Sequence, residues 1–230
     1  MTKVRRLAEL RWPEAAGVDL LVVPVGSTEQ HGPHLPLATD AIVAAAVAER
    51  LVAALVEDGV GAVLGPTVPY GASGEHEGFP GTVSIGHGAL RALLVELVRS
   101  ASAWAPRTLL VNGHGGNAPT LDAVVALLES EGRPTAWLPC GVRGADAHAG
   151  RAETSLLLQL RPDLVALDAA EPGAVEPIAG LLPRLRAEGV RAVAPNGVLG
   201  DPTGASAAEG AALLRAMVAS ATERARGFVG

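Results

Sequence analysis

Six consecutive apolar residues, Leu20-Leu-Val-Val-Pro-Val25, restrict what this chain can fold into more than any other feature. A strand with one face in water alternates apolar and polar side chains, and this one does not. A run without alternation belongs to a strand buried on both faces, which requires helices above and below the sheet. Shorter runs of the same kind recur at Ala62–Leu64, Thr108–Val111 and Thr135–Leu138. Helical spacing separates them, over 41–57, 88–104 and 118–130, and it returns at 153–160, near 178–188 and at 204–226. Residues 1–19 read as a short helix or arm. Strands alternating with helices predict an α/β fold with a mainly parallel sheet, in one domain over residues 1–230. Ligands of such sheets sit beyond the carboxyl ends of the strands.

The polar clusters fall at those ends. Gly26 to Asp40 follows the first strand and carries Glu29, His31 and, at the expected helix start, Asp40. In extended chain, residues two apart point to the same side, so Glu29 and His31 can share a ligand. Carboxylate with imidazole suits zinc, iron or manganese. A polar loop with Asp40 as a helix cap is the plain alternative. Asn112-Gly-His-Gly-Gly-Asn117 follows the third strand and offers His114 on a tight turn. Gly113, Gly115 and Ala118 also fit a loose dinucleotide-loop spacing, but no acidic residue ends the next strand to hold a ribose. A third cluster offers His148 and Glu153; an acidic first helical turn accounts for Glu153 alone. Together the three clusters suit a two-metal site with Asp40 as the bridging carboxylate. A fourth segment, Tyr70 to Thr82, is Gly-rich, and Ser73, Glu75 and His76 in it are candidate substrate contacts; a solvated surface turn is the alternative.

Composition removes several classes. The balance of 24 acidic against 18 basic residues gives a net charge of −6, unlike a face that tracks nucleic acid. The basic cluster of Lys3, Arg5, Arg6 and Arg11 leads into no long apolar region, and no 18-residue uncharged apolar stretch follows, so neither a signal peptide nor a membrane span is expected. The single cysteine, Cys140, suits a reducing cytoplasm. The chain has no Gly-x-Ser-x-Gly elbow, and Cys140 has only Pro and Gly beside it.

Glu29-Gln-His-Gly-Pro-His34 with Asp40, then Asn112 to Asn117, then His148-Ala-Gly150 with Glu153-Thr-Ser155 resemble the creatininase (creatinine amidohydrolase) family, in the family's order and over nearly the whole chain. The resemblance implies a three-layer α/β/α sandwich, two divalent ions per subunit and a homo-hexamer. It places Glu29 and His114 on one ion, His31 on the other and Asp40 between them. It gives His148 the transfer of a proton to the leaving group. The family type takes a further ligand from a glutamate two residues after the third-strand histidine, where this chain has Gly116. That difference argues against creatinine as substrate, and Glu153 is the inferred replacement ligand. Val23 to Leu37, Tyr70 to His76 and Gly197 to Thr203 resemble a branch that acts as a peptidase, releasing a modified C-terminal Val-Tyr dipeptide from a small precursor peptide in redox-cofactor biosynthesis. The expected substrate is therefore a modified precursor peptide. The alternatives are a small cyclic amide or formamide, or a non-catalytic nucleotide-binding or scaffold module.

Overall fold

A computed structural model describes residues 4–142 and 144–230; Lys3 of the basic cluster lies outside them. Four parallel strands form one sheet: β1 (Leu20–Val25), β2 (Ala62–Leu64), β3 (Thr108–Asn112) and β4 (Thr135–Pro139), in the order β2-β1-β3-β4. Leu20 pairs with Ala62 on one side of β1, and Leu21 pairs with Thr108 on the other. Every residue of β1 and β3 is buried, as their unbroken apolar runs require.

Successive strand residues face opposite ways, so each strand feeds two cores. Leu20 and Val22 of β1 join Leu109 and Val111 of β3 in a core covered by α1 (Thr39–Glu57), α4 (Arg151–Leu160) and α7 (Ala207–Val229). Leu21, Val23 and Val25 join Leu110 in a second core, beneath α2 (Gly86–Ala101) and α3 (Ala118–Ser130). The expected α/β/α sandwich is thereby present. A third, smaller core packs Leu181 and Leu185 of α5 (Ile178–Glu188) and Val190 of α6 (Val190–Val193) against Leu199 and Phe79. The N-terminal arm forms two short 3-10 turns, Leu7–Glu9 and Trp12–Ala15.

From β1 the connection to β2 runs to one side of the sheet, while β3 lies on the other side. The two crossovers part between β1 and β3. An open α/β sheet has its crevice at such a switch point, and β1 and β3 are the two strands that end in the polar clusters. No helix among the described residues is long and apolar enough to cross a membrane.

Candidate metal centre

Close backbone contact delivers Asp40 to the sheet rim. A Cβ on Gly113 would overlap the carbonyl oxygen of Asp40, and one on Gly26 would come within 2.5 Å of the Ala41 nitrogen. Glycines after β1 and β3 therefore let the first turn of α1 press on both strand ends. The sequence allowed Asp40 as a helix cap as well as a bridging ligand. The structure instead puts Ala38 at the cap and Asp40 inside the first turn. Its carboxylate turns inward to imidazoles, in a helix turn whose dipole favours negative charge.

Five predicted ligands converge there. His31 Nε2 lies 3.1 Å from Asp40 Oδ1 and 3.8 Å from Glu153 Oε2. His114 Nδ1 lies 3.1 Å from Glu29 Oε1 and 3.4 Å from Asp40 Oδ2. Asp40 thus faces both halves of the cluster, as a bridging ligand would. Each imidazole is fixed from behind. His31 Nδ1 donates to the Glu29 carbonyl at 3.1 Å, and His114 Nε2 lies 3.2 Å from the Ala72 carbonyl and 3.4 Å from Glu75 Oε1. Such outer contacts aim a ligating nitrogen and set its tautomer.

Whether a cation fits can be tested on the carboxylates. Glu29 is fully buried and Asp40 almost so, yet both Glu29 oxygens and Asp40 Oδ2 have no hydrogen-bond partner. The neighbouring histidine nitrogens approach without hydrogen-bond alignment. Buried carboxylates left in this state are costly unless a cation compensates them. Ligand atoms of Glu29, His31 and Asp40 lie within 4.8 Å of one another, as do those of His31, His148 and Glu153. The residues fit a divalent ion with mixed oxygen and nitrogen donors.

The electrostatics agree. Burial opposes charging of His31, but Asp40, Glu153 and Glu29 outweigh it and hold its pKa at about 10. Burial opposes charging of His114 too, and Glu29, Glu75 and Asp40 push it well above the usual range. Burial raises Asp40, helped by Glu29. Burial also lifts Glu153 to about 7 against the attraction of His31. Glu29 goes the other way: His114, His76 and His31 overcome burial and hold it well below the usual carboxylate range. Burial, together with His31 and His76, depresses His148 well below an ordinary histidine, so it is neutral near pH 7. A strongly anionic pocket that stabilises imidazolium in its own metal-free state is one that a dication would occupy.

The Gly-rich segment wraps this cluster. Ser73 is buried, with its hydroxyl against that of Ser27 and 3.4 Å from His114 Nε2. His76 is buried with Nε2 3.2 Å from Glu29 Oε1. Of the three expected substrate contacts, only Glu75 keeps a third of its side chain exposed. Of the glycines that fitted a nucleotide loop, Gly113 is explained by the helix packing above, and a Cβ on Gly115 would meet nothing within 4 Å.

Sequence reasoning missed Gln30, whose buried carboxamide touches His76, His148 and Gly197. Its position between two ligand candidates was the available signal. It also missed Ala149, the one described residue other than glycine with positive φ, at 53°. Such strain clusters at functional sites. Here the Ala149 amide donates to Glu153 Oε2 at 2.6 Å.

Fold and site define a three-layer α/β/α scaffold that carries a metal-ready acidic and histidine cluster at a sheet switch point and lacks a nucleophile elbow. Comparison with known proteins carries this to a family: the creatininase model, described as creatinine amidohydrolase, matches residues 8–225, and the chain belongs to that family. It is 56% identical over 211 residues to the mycofactocin precursor peptide peptidase of Mycolicibacterium smegmatis, covering 90% of this chain and 84% of the relative. It is 33% identical over 203 residues to the creatinine amidohydrolase of Pseudomonas putida, covering 73% and 76%. The fold superposes on a mutant creatininase of Zn-Zn type with a TM-score of 0.79 at 28% identity, over 98% of each chain.

Proposed function

We propose that this protein is a metallopeptidase that cleaves the amide bond ahead of a C-terminal Val-Tyr dipeptide in a modified mycofactocin precursor peptide. Identity of 56% to a curated mycofactocin precursor peptide peptidase, against 33% to a creatinine amidohydrolase, carries the choice of substrate. The cluster at the switch point supports the chemistry. Glu29, His31, Asp40, His114 and Glu153 would hold two divalent ions. The donor set accepts zinc, iron or manganese, and similarity to creatininases of Zn-Zn and of Mn type supports zinc and manganese alike. Such ions polarise a carbonyl oxygen and bring the pKa of water toward neutrality. The protein's own groups do the rest. His148 is neutral, with Nδ1 on the cluster side, 3.8 Å from Glu29 Oε1. It can take a proton during attack and return it to the departing amine. Glu75 and the exposed Gly74, Glu77 and Gly78 beside it would meet the peptide.

The finer points extend the same reading: a homo-hexamer in a cytoplasm that keeps Cys140 reduced. Light scattering on the purified protein tests the assembly.

Mass spectrometry tests the activity. Incubating the matured precursor with zinc-loaded protein should shorten it by one Val-Tyr unit, and Asp40→Ala should lose bound zinc and turnover together. A peptide left intact while creatinine is hydrolysed would replace this reading with the small-amide one, which the family likeness favours and Gly116 opposes.

A further inference from the structure

Gln30 sits at the centre of a hydrogen-bond pattern whose donors and acceptors can all be assigned. Its Oε1 accepts from the Gly32 amide at 2.9 Å, and its Nε2 lies 3.0 Å from the Gly197 carbonyl. A backbone N–H can only donate and a carbonyl can only accept, so these two contacts fix which way the carboxamide faces. The surrounding backbone is built around it. A Cβ on Gly197 would overlap Gln30 Oε1, and Gly197 and Gly32 both hold left-handed φ, at 79° and 65°.

One amide hydrogen goes to Gly197. The other points to His76 Nδ1, 2.9 Å away. In a neutral imidazole one nitrogen donates and the other accepts. His76 Nδ1 must therefore accept, which leaves Nε2–H facing Glu29 Oε1 at 3.2 Å. The main chain of the same residue settles His148: the Gln30 carbonyl lies 2.8 Å from His148 Nε2, so that nitrogen donates and Nδ1 carries the lone pair. The 3.1 Å approach of the amide nitrogen to His148 Nε2 is then a contact between two donors, since both amide hydrogens are used.

We propose that Gln30 is a positioning residue that gives two neighbouring histidines complementary roles, His76 as an N–H donor at the reaction centre and His148 as a free lone pair. The assignment removes His76 Nε2 from the ligand set, although its position beside Glu29 and His148 would otherwise suit a metal. It leaves His76 with an N–H beside the cluster that Glu29 Oε1 does not accept, free for another oxygen there. The tautomers stand apart from substrate identity; only their kinetic consequence rests on the peptidase reading.

Magic-angle-spinning NMR of protein labelled with 15N-histidine reads imidazole tautomers directly, whatever the particle size. The His76 signals are those missing from a His76→Phe variant. Zinc-loaded wild type should show His76 protonated at Nε2 and bare at Nδ1. Gln30→Glu presents an acceptor to Nδ1 and should put a proton on it. With the precursor peptide, Gln30→Glu should lower kcat about 10–100-fold, the usual cost of an outer-shell change, with KM and zinc content little altered. A His76 bare at Nε2 in the zinc protein, or protonated at Nδ1 in the wild type, overturns the proposal without any variant. Correct tautomers with no turnover of the peptide would sink the substrate reading and leave Gln30's role standing.

Discussion

Gly116 and Glu75 depend on each other. A Cβ at 116 would overlap His114 Nε2 and crowd Glu75 Oε1, and it would lie 2.7 Å from the carbonyl oxygen of Ala72. The Glu75 carboxylate can swing aside; the backbone carbonyl cannot, and His114 would be pushed from its aim at Glu29 and Asp40. The absence of a side chain at 116 is thus a requirement of this site as well as a lost ligand. Glu153, reaching in from α4, stands 3.8 Å from His31 Nε2 in the half of the cluster left short of a carboxylate. Two outcomes are expected. Gly116→Ala should weaken zinc binding about ten-fold or more, the scale of a misplaced ligand. Gly116→Glu should do the same rather than install a ligand of the creatininase kind. Zinc competition against a chelating dye measures both, and undiminished affinity in either variant would show that His114 has room to adjust.

The helices that bring in Glu153 meet at α4 and α7, which cross at very close range. A Cβ on Gly210 would overlap the Ser155 carbonyl oxygen, and Ser155 Oγ both donates to Glu209 Oε2 at 3.2 Å and accepts from the Ser206 amide at 3.1 Å. Gly210→Ala must push α7 away from α4. Overpacking of this kind costs about 1–3 kcal/mol, which for a chain this long lowers the melting temperature by about 2–12 °C. Gly180→Ala in α5 is the control, because a Cβ there meets nothing within 4 Å. It should leave stability unchanged or raise it slightly. Equal melting temperatures for the two variants would mean that α7 is not confined. The elements themselves were legible because burial on both faces and helical spacing are local patterns. Helix 118–130 emerged with the bounds read from the sequence, whereas the last helix runs from Ala207 to Val229 rather than over 204–226. Asp40 stayed ambiguous in the sequence because one residue type serves both as cap and as ligand, and only tertiary contact decides against the cap. The role of Gln30 was illegible for a further reason: beyond its place between two ligand candidates, its partner carbonyl at Gly197 lies 167 residues away, in a Pro- and Gly-rich segment without periodicity.

Stability of the whole molecule is tied to the charge stored at the switch point. In the metal-free protein His31 is held at about 10, so its stabilising contribution is complete below pH 6.5 and is lost as pH rises toward 10. His114 is raised as well and acts in the same direction. Glu153, lifted to about 7, binds more protons folded than unfolded between about 4.5 and 7, so rising pH also costs stability there. The depressed His76 and His148 oppose this only below 6.5, where the folded state resists their charging. Between pH 7 and 9 the raised imidazoles govern, and the metal-free protein should become less stable as pH rises. Zinc reverses the sign. Its ligands must be unprotonated, so binding expels protons from His31 and His114, affinity grows with pH, and a ligand bound to the folded state adds stability in step with that affinity. Denaturant midpoints measured across this range should therefore diverge, falling for chelator-treated protein and rising with saturating zinc. Calorimetry in buffers of different ionisation enthalpy should show proton release on zinc binding at pH 7.5. Parallel midpoint curves with no proton release would mean that zinc binds elsewhere and that the charges facing one another at the rim of the sheet are only an ion-pair network.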